Sequence, residues 1–583
     1  MKPAPFIVFV LLVACGPDQR GNNSDSGNGS GSGSGSGSNA GGSCSSDLHD
    51  VLDANGNVIA TCPAAQGCAA GVCVDACQAA AASQGSVGCD FTVATPSFYS
   101  FIAPPCFAVF LANNWPTNSV VTIERGGTTY SATTFGRVPD GTADAASWPV
   151  IPATGIPSSN VGVLFLGNDP ASNNAGNVTS CPVTAAVSIT GGSAVYTGAN
   201  EASGLGTAFH LHTSSPVSAY DILPYGGASS FLPSAELLLP TSAWGTNYVA
   251  AGPGLSAGPG WGQVVATMDN TSIQITPKTS LPGGPGVAAA PAQVTTTYTL
   301  NAGQYIQWQD AGDIAGSVIS STNPVSFTGG TGYLCLTSAT SSGGGCDSGH
   351  QLIPPVSALG SEYVAPPYAT RRADLLPESI VYRFVGAVDG TTLAYHPAVP
   401  GAPASISLGQ VIEFESTTPF VVTSQDAMHP FYVGQFMSGC NTTSGSRPGD
   451  TGGCLGDEEF VNILPPAQWL SSYVFFTDPT YTTTNLVIVR KAAATGFQDV
   501  TVDCLGVIGG WQPVADGATY QITNVDLQRG APVGSCTNGR HTATSAGAFN
   551  VMVWGLASYA SYAYPAGGNV GKINPVVVIG RQN

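Results

Sequence analysis

The chain contains few residues whose types and spacing could carry out chemistry. His210 and His212 flank Leu211, and a strand here would place both imidazoles on one face, where they could bind a metal ion. Two segments with a similar pattern, 316–325 and 409–420, carry serine or glutamate at the comparable positions. We therefore interpret the two histidines as ordinary residues of a solvent-facing strand and assign no metal ligand here.

Two acidic segments resemble calcium ligands only in part. The segment 53–57 (DANGN) has the spacing with which a calcium loop begins, but the glutamate that should close it is missing, so a hairpin turn is the better interpretation. The run 457–459 (DEE) follows Cys454 and could bind calcium or face a cationic partner. Such a run is more often solvated, and solvent exposure is the interpretation that we prefer.

Known catalytic motifs are absent from the sequence. It contains no H-E-x-x-H, no G-x-S-x-G and no G-x-G-x-x-G between a strand and a helix, and 567–572 (GGNVGK) lacks the first glycine of a P-loop. We predict no catalytic residue, no metal and no cofactor, and therefore no enzymatic activity. The alternative is an exported hydrolase whose dispersed active site the sequence does not reveal.

The N-terminal segment carries the most specific motif of the chain. Lys2 precedes a short apolar stretch over 5–13, and residues 12–15 read Leu-Val-Ala-Cys, the lipobox of bacterial lipoproteins. We expect a signal peptide over 1–15 and acylation of Cys15, whose lipid would hold the protein on a bacterial membrane. An ordinary secretory signal that contains a cysteine is the alternative.

The residues after Cys15 indicate a surface location. Residue 16 is glycine rather than the aspartate that retains lipoproteins at the inner membrane, so we expect the outer membrane and an outward-facing protein. The segment 16–43 is rich in Gly and Ser and predicts a flexible tether. The N-terminal lipid is the only membrane attachment that we expect, because no apolar run approaches the roughly 20 residues of a spanning helix.

Composition favours strands over helices. Charged residues make up 8% of the 583 residues, against about 25% in an ordinary soluble domain. Helices normally cover their solvent face with Lys, Arg and Glu, so a mainly helical fold is not expected. The net charge of −19 and the absence of a basic run argue against nucleic acid as a partner.

The cysteines indicate an oxidising compartment. Three pairs each bracket a Gly/Ser/Thr-rich segment, and we predict the disulfides Cys335–Cys346, Cys440–Cys454 and Cys504–Cys536. Zinc is the weaker alternative for the closely spaced cysteines in the segment 68–77. The pairing of the remaining cysteines stays open: Cys44, Cys62, Cys68, Cys73, Cys77, Cys89, Cys106 and Cys181.

Two sequence anchors recur through the rest of the chain. The first is a proline eight residues before a Tyr-Val pair, and the second is a glycine followed by an alternating run, a polar turn and a proline. We expect each tyrosine to lie in an equivalent strand with its ring buried, and each proline to lie in the preceding connection. The first anchor is Pro240 with Tyr248, Pro355 with Tyr363 and Pro465 with Tyr473; the second is 206–217, 316–325 and 409–420.

This period predicts an all-β fold. Tandem antiparallel β-sandwich-like modules of about 110 residues fit the spacing and the alternation within each repeat. A closed β-propeller made of the same repeats is the alternative. The predicted order after the tether is a small Cys-rich segment over 44–88, β-module 1 over 89–236, β-module 2 over 237–351, β-module 3 over 352–462 and β-module 4 over 463–583.

Several of these segments together resemble the IgGFc-binding protein N-terminal domain family. The resemblance covers about residues 85 to 566 and rests on Gly88-Cys89-Asp90-Phe91, 106–113, 220–227, 553–565 and the proline-tyrosine anchors. It implies a binding or adhesion protein at the cell surface that presents module loops to a protein or glycan ligand. The founding animal proteins are reported to bind the Fc part of IgG. The resemblance identifies no binding residue in this chain.

Overall fold

A computed structural model describes residues 42–99, 105–142, 144–168, 180–189, 203–230, 232–254, 258–310, 312–440, 445–450 and 454–580. Cys15, the predicted signal peptide and nearly all of the predicted tether lie outside the described residues. Gly41–Asn583 form one compact unit. Among the described residues, no helix has the length and apolarity needed to cross a membrane.

Disulfides stabilise the small Cys-rich segment, which has little apolar core of its own. The segment 53–57 is a hairpin turn between β2 and β3, as predicted, and Asp53 Oδ1 accepts the backbone N–H groups of Asn55 and Asn57. Asp75 caps the helix by accepting the N–H groups of Cys77 and Gln78. The elements are β1 (Ser43–Cys44), β2 (Asp50–Leu52), β3 (Val58–Thr61), β4 (Gln66–Ala69), β5 (Val72–Asp75) and α1 (Ala76–Ser83).

The first large sheet has nine strands in the order β10-β11-β7-β14-β8-β9, with β6 and β15 also paired to β14 and β12 to β11. The long strand β14 bends between two layers, because its first half pairs with β8 and its second half with β7. The elements are β6 (Val87–Val93), β7 (Phe107–Asn113), β8 (Val121–Arg125), β9 (Thr128–Ser131), α2 (Ala132–Phe135), β10 (Gly136–Arg137), β11 (Val161–Asn168), β12 (Val187–Ser188), β13 (Gly204–Thr207), which joins the second sheet, β14 (Phe209–Leu223) and β15 (Ser234–Leu238).

The second large sheet repeats this plan. Its eight strands run β13-β20-β17-β21-β18-β19, and β16 and β22 pair with the long strand β21. The strand β13 thus comes from the predicted β-module 1 but pairs with β20. The further strands are β16 (Gly245–Val249), β17 (Gly260–Ala266), β18 (Thr271–Thr276), β19 (Thr296–Leu300), β20 (Gln304–Asp310), β21 (Val318–Leu334) and β22 (Asp347–Leu352).

The third repeat consists of two four-stranded sheets, β23-β28-β25-β26 and β27-β24-β29-β30. Here two strands, β28 and β29, take the place of one long bent strand. The bounds are β23 (Glu362–Ala365), β24 (Ile380–Gly386), β25 (Thr391–His396), β26 (Ser405–Ile406), β27 (Val411–Ser416), β28 (Phe420–Ser424), β29 (Phe431–Met437) and β30 (Glu459–Asn462).

The last sheet has eight strands in the order β34-β33-β37-β32-β36-β35, and β31 and β38 pair with the long strand β37. The fold is therefore all-β and built of antiparallel repeats, as the sequence predicts; the boundaries of separate domains stay a prediction. The strands are β31 (Leu470–Phe476), β32 (Thr483–Lys491), β33 (Val500–Val502), β34 (Gly506–Val507), β35 (Gln512–Val514), β36 (Tyr520–Arg529), β37 (Arg540–Ala557) and β38 (Ala560–Pro565).

The proline-tyrosine anchors occupy equivalent positions. Tyr248, Tyr363 and Tyr473 lie buried in β16, β23 and β31, which confirms the prediction for these residues. In each repeat the tyrosine hydroxyl accepts the backbone N–H three residues earlier and donates to a backbone carbonyl. That carbonyl lies on the paired strand for Tyr248 and Tyr473, and on β29, which does not pair with β23, for Tyr363. Each anchor proline comes directly before a short 3₁₀ helix in the connection: Thr241–Ala243, Val356–Ala358 and Pro466–Gln468.

The anchor prolines also join consecutive repeats. A Cβ atom on Gly245 would lie 2.5 Å from Cβ of Pro355, and one on Gly360 would lie 2.4 Å from Cβ of Pro465. A Cβ atom on Gly88 in β6 would likewise lie 2.3 Å from Cβ of Pro240. Each proline therefore fills the space that a glycine of the preceding repeat leaves empty.

The second sequence anchor is not equivalent in the three repeats. In the first two repeats it runs into the long strands β14 and β21, but 409–420 covers β27 and the start of β28. In the third repeat β27 pairs with β24, and in the second repeat β20 pairs with β17, so β27 is the counterpart of β20. Gly409-Gln410 before β27 therefore corresponds to Gly303-Gln304 at the start of β20. Both glutamine side chains accept the backbone N–H three residues earlier. A glycine before an alternating run marks the start of many strands and does not identify which strand follows.

One strand of each repeat lies in a shared interior. The strands β15, β22, β30 and β38 contact one another in cyclic order, each touching two of the others. The first and last sheets also share a core, in which the Tyr220 hydroxyl donates to the carbonyls of Val474 and Ala566. Polar residues on these four strands are therefore enclosed by protein on every side.

Candidate functional site

An open cleft of about 450 Å³ lies where the first sheet meets the second. Its first wall contains Asp90 on β6, Glu124 and Arg125 at the end of β8, and His210 on β14. The opposite wall includes Ala302 and Gly303 in the turn before β20, and Gln304, the first residue of β20. We call this the polar cleft, because charged and amide side chains line much of it.

Asp90 connects the two histidines that the sequence singled out. Its Oδ1 lies 3.3 Å from Nε2 of His210 and 2.9 Å from Nδ1 of His212. The three side chains are between 43% and 48% exposed, so the prediction of a solvent-facing pair is confirmed. Sequence analysis missed Asp90, because the register that places it opposite His212 joins strands about 120 residues apart.

This contact shifts two pKa values in opposite directions. The hydrogen bond with His210 holds the pKa of Asp90 below its ordinary value, although partial burial opposes the shift. The same hydrogen bond raises the pKa of His210, and the nearby charges of Asp90 and Glu124 add to the effect. Protonated His210 beside ionised Asp90 is therefore the favoured state of this wall in mildly acidic solution.

Arg125 gives the polar cleft a fixed positive charge. Its Nε donates to the carbonyl of Thr207 at 3.1 Å, and the guanidinium lies 5.2 Å from the ring centroid of Phe209. Glu124 is the cross-strand partner of His210 on the same wall. The cleft thus combines carboxylates, an imidazole and a guanidinium, which suits the binding of a polar ligand by hydrogen bonds and charge.

The acidic run 457–459 is buried, and the prediction that it is solvated is wrong. Asp457 is 1% exposed, and Glu458 and Glu459 are 0% exposed. Glu459 opens β30, one of the four interior strands, and this placement explains the burial. A charge run predicts exposure only when its element has a free face, and β30 is packed against β22 and β38.

Buried hydrogen bonds hold these carboxyl groups. Glu458 Oε1 accepts the N–H of Leu336, and Glu459 accepts the hydroxyl of Ser234 and the N–H of Ala563. Burial raises the pKa of Glu458 to about 10, and it holds the pKa of Glu459 well above the ordinary value. Burial therefore disfavours the charged form of both carboxyl groups, and the hydrogen bonds that they accept partly offset this effect.

Convergence of acids is what a hydrolase requires, but a substrate must also reach them. The described acids of the interior are sealed, and the cavity beside Asp221 and Tyr562 has a volume of only about 10 Å³. The polar cleft, in contrast, is open to solvent and presents charged and polar side chains to a ligand.

Disulfides join every described cysteine. The structure contains Cys335–Cys346, Cys440–Cys454 and Cys504–Cys536, the pairs that the sequence suggested. His541 and Asp503 lie close to Cys504, but the sulfur of Cys504 is bonded to Cys536 and does not serve as a metal ligand. The pairs that the sequence left open are Cys44–Cys68, Cys62–Cys73, Cys77–Cys89 and Cys106–Cys181.

Comparison with known proteins identifies the family. The family model described as IgGFc binding protein matches residues 234–555, from the start of β15 into β37. The human IgGFc-binding protein is 26% identical over 348 residues, which are 58% of this chain and 6% of the human protein. No solved structure matches. The family match covers more than half of the sequence, and the chain belongs to the IgGFc binding protein family.

Proposed function

We propose that this chain is a binding or adhesion protein, displayed at the surface of a bacterial cell and anchored there by a lipid on Cys15. Its loops and the polar cleft meet a protein or glycan ligand. The observation that carries the proposal is membership in a family of binding proteins over residues 234–555. The chain spans only 6% of the length of its human relative, so the relative's ligand enters here as a proposal as well.

The polar cleft supports the proposal through its chemistry. Arg125 offers donors beside the acceptors of Asp90 and Glu124, so a ligand with both carboxylates and hydroxyls can be bound. Those three residues precede the segment that matches the family. The opposite wall of the cleft, which includes Gln304, lies within that segment.

Attachment by a tether fits such a role. The Gly/Ser-rich composition of 16–43 is that of a flexible linker. A flexible chain of this length would have an r.m.s. reach of roughly 30 Å and would let the protein reorient above the membrane. A ligand on another cell or in the surrounding medium then meets the cleft without steric obstruction from the membrane surface. The exported hydrolase remains the second candidate, and only the convergence of buried acids around Asp347 and Glu458 favours it.

Direct binding measurements test the proposal. The chain from residue 44 is immobilised and exposed to purified human IgG Fc, and in parallel to envelope and host extracts whose captured components are then purified. Arg125→Ala removes a charge-assisted contact of about 1.5 to 3 kcal/mol and should weaken binding roughly tenfold to a hundredfold.

Lys572→Ala provides the matched control, since it removes an exposed cation outside the polar cleft. Its affinity should equal that of the wild type. Equal losses in both variants would show that net charge, rather than the cleft, controls binding. Release of cleaved glycan or peptide from a captured ligand would favour the hydrolase instead.

A further inference from the structure

Three interior side chains that the polar cleft does not use meet where the first sheet contacts the second. Asp221 on β14 and Glu236 on β15 are directly opposite cross-strand partners, and His350 comes from β22. One carboxylate oxygen of each acid and one imidazole nitrogen lie within 4.8 Å of one another. Asp221 and Glu236 lie on consecutive strands, but His350 follows Asp221 by 129 residues, so no short sequence motif identifies the cluster.

Backbone and amide contacts hold the imidazole in place. The N–H of His350 donates to the hydroxyl oxygen of Ser234 at 3.2 Å, and Gln351 Nε2 donates to the carbonyl of Ala235 at 2.9 Å. These bonds fix β22 beside β15. His350 Nε2 then lies 2.9 Å from Asp221 Oδ1, which places the histidine toward the two acids.

The cluster is sealed and incompletely satisfied. The side chains of His350 and Asp221 are 2% and 0% exposed, and Glu236 is 3% exposed. Asp221 Oδ2 and Glu236 Oε2 accept no hydrogen bond from any residue in the described part of the chain. Two carboxyl groups that face each other in a dry interior are unfavourable unless a cation or a proton lies between them.

We propose that Asp221, Glu236 and His350 bind a divalent transition-metal ion, with zinc as the expected occupant. One imidazole nitrogen and two carboxylate oxygens are a ligand set that zinc accepts. Calcium and magnesium prefer six or more oxygen ligands and fit this set poorly. Two positive charges would offset the two carboxylates.

The distances are compatible with such an ion. Ligands about 2.1 Å from a tetrahedral zinc ion lie roughly 3.4 Å from one another. When an ion enters, the 2.9 Å distance between His350 Nε2 and Asp221 Oδ1 must lengthen slightly. The wider distances between the ligand atoms, of up to 4.8 Å, must shorten.

A bound ion would join two repeats. Asp221 and Glu236 belong to the first sheet and His350 to the second, so coordination adds a cross-link between them. Trp261 lies beside the imidazole, with its ring centroid 6.3 Å from that of His350, and all three ligands are buried. The ion is therefore expected to stabilise the folded protein rather than to meet a substrate.

The rival explanation is a single proton shared by Asp221 and Glu236, which would satisfy both unpartnered oxygens without a metal. The two explanations differ in their response to chelators. Mass spectrometry of the purified full-length protein should find about one zinc ion per chain. After removal of metal with EDTA, added zinc should raise the midpoint of thermal unfolding by a few degrees, because it binds only the folded state.

Substitutions locate the ion. Glu236→Gln retains size and a hydrogen-bond acceptor and should lower zinc affinity at least about tenfold, whereas Asp503→Asn, beside the Cys504–Cys536 disulfide, should leave it unchanged. If Glu236→Gln does not fold, the absorption spectrum of the cobalt-loaded wild type decides, since mixed nitrogen and oxygen coordination gives a visible d–d band. Wild-type protein without bound metal and without a zinc-dependent thermal shift overturns the proposal and assigns the cluster to the shared proton.

Discussion

The buried tyrosine anchor makes a quantitative test of the repeat architecture possible at Tyr363. Its hydroxyl accepts the N–H of Gly360 at 2.8 Å and donates to the carbonyl of Phe431 at 2.6 Å, and the residue is 1% exposed. Tyr363→Phe keeps the ring but leaves both backbone groups without this partner. The expected loss in the free energy of unfolding is about 1 to 3 kcal/mol, the usual cost of unsatisfied buried groups.

Tyr363→Ala should cost more than Tyr363→Phe. It removes the same hydrogen bonds and also leaves a cavity beside Phe431, whose ring centroid lies 5.0 Å from that of the tyrosine. Removal of a buried aromatic ring costs about 3 to 5 kcal/mol. The first repeat carries Phe91 three residues after Gly88, the same spacing as Tyr363 after Gly360, so a phenylalanine ring fits this kind of site.

The assay must report local stability, because a chain of several repeats need not unfold in one step. Native-state hydrogen exchange of peptides spanning β23 and β29, read by mass spectrometry, gives the opening free energy at the anchor itself. Tyr559→Phe is the control, since Tyr559 is 54% exposed and its change should stay within about 0.5 kcal/mol. If Tyr363→Phe behaves like this control, the hydroxyl does not hold the two strands together and the reasoning is refuted.

Three further predictions concern other parts of the chain. Gly360→Ala places a Cβ against the neighbouring proline and should destabilise by about 1 to 3 kcal/mol in denaturant unfolding, whereas Gly509→Ala, with open space around it, should not. In a histidine NMR titration, the pKa of His210 should exceed its ordinary value of 6.5, and it should fall in the Asp90→Asn variant. Because the pKa is raised in the folded state, the stability that this contact contributes is present below pH 6.5 and is lost as the pH rises through the pKa of His210 in the folded protein. Cys15→Ala should move the protein from the membrane fraction to the soluble fraction, and unchanged partitioning would contradict the lipid anchor.

Local features of the sequence were sufficient to predict the repeat. The proline and tyrosine of each anchor are close in sequence, because the proline lies in a connection and the tyrosine lies in the strand that follows it. Their spacing can therefore be recognised in the sequence. Alternating residues on both sides of the Asp389-Gly390 turn are a local signal of the same kind, and they form β24 and β25. The same local signals misled at 409–420, where a glycine-led strand belongs to a different position of the repeat.

The partners of the polar residues and cysteines depend on strand register and on how the strands pack, and neither can be read from the sequence. Asp90 meets His212 only because β6 and β14 pair with one particular offset. The cysteine pairs of the first cluster had several consistent solutions, and the fold selects Cys44–Cys68 and Cys62–Cys73. In both cases the residue types were visible in advance, but their partners were not.

The interior acids show why charge patterns alone predict burial poorly in this chain. A strand that alternates apolar and polar residues normally turns the polar face to water, but β15, β22, β30 and β38 have other strands against both faces. Glu236 and Glu459 are therefore forced into the interior together with His350, and their carboxyl groups must be neutralised by protons, hydrogen bonds or a cation. Retaining acids at positions where apolar residues would pack more stably is unfavourable for folding alone. For Asp221 and Glu236, a bound metal ion or a shared proton would offset this cost, and the zinc measurement distinguishes between these two roles.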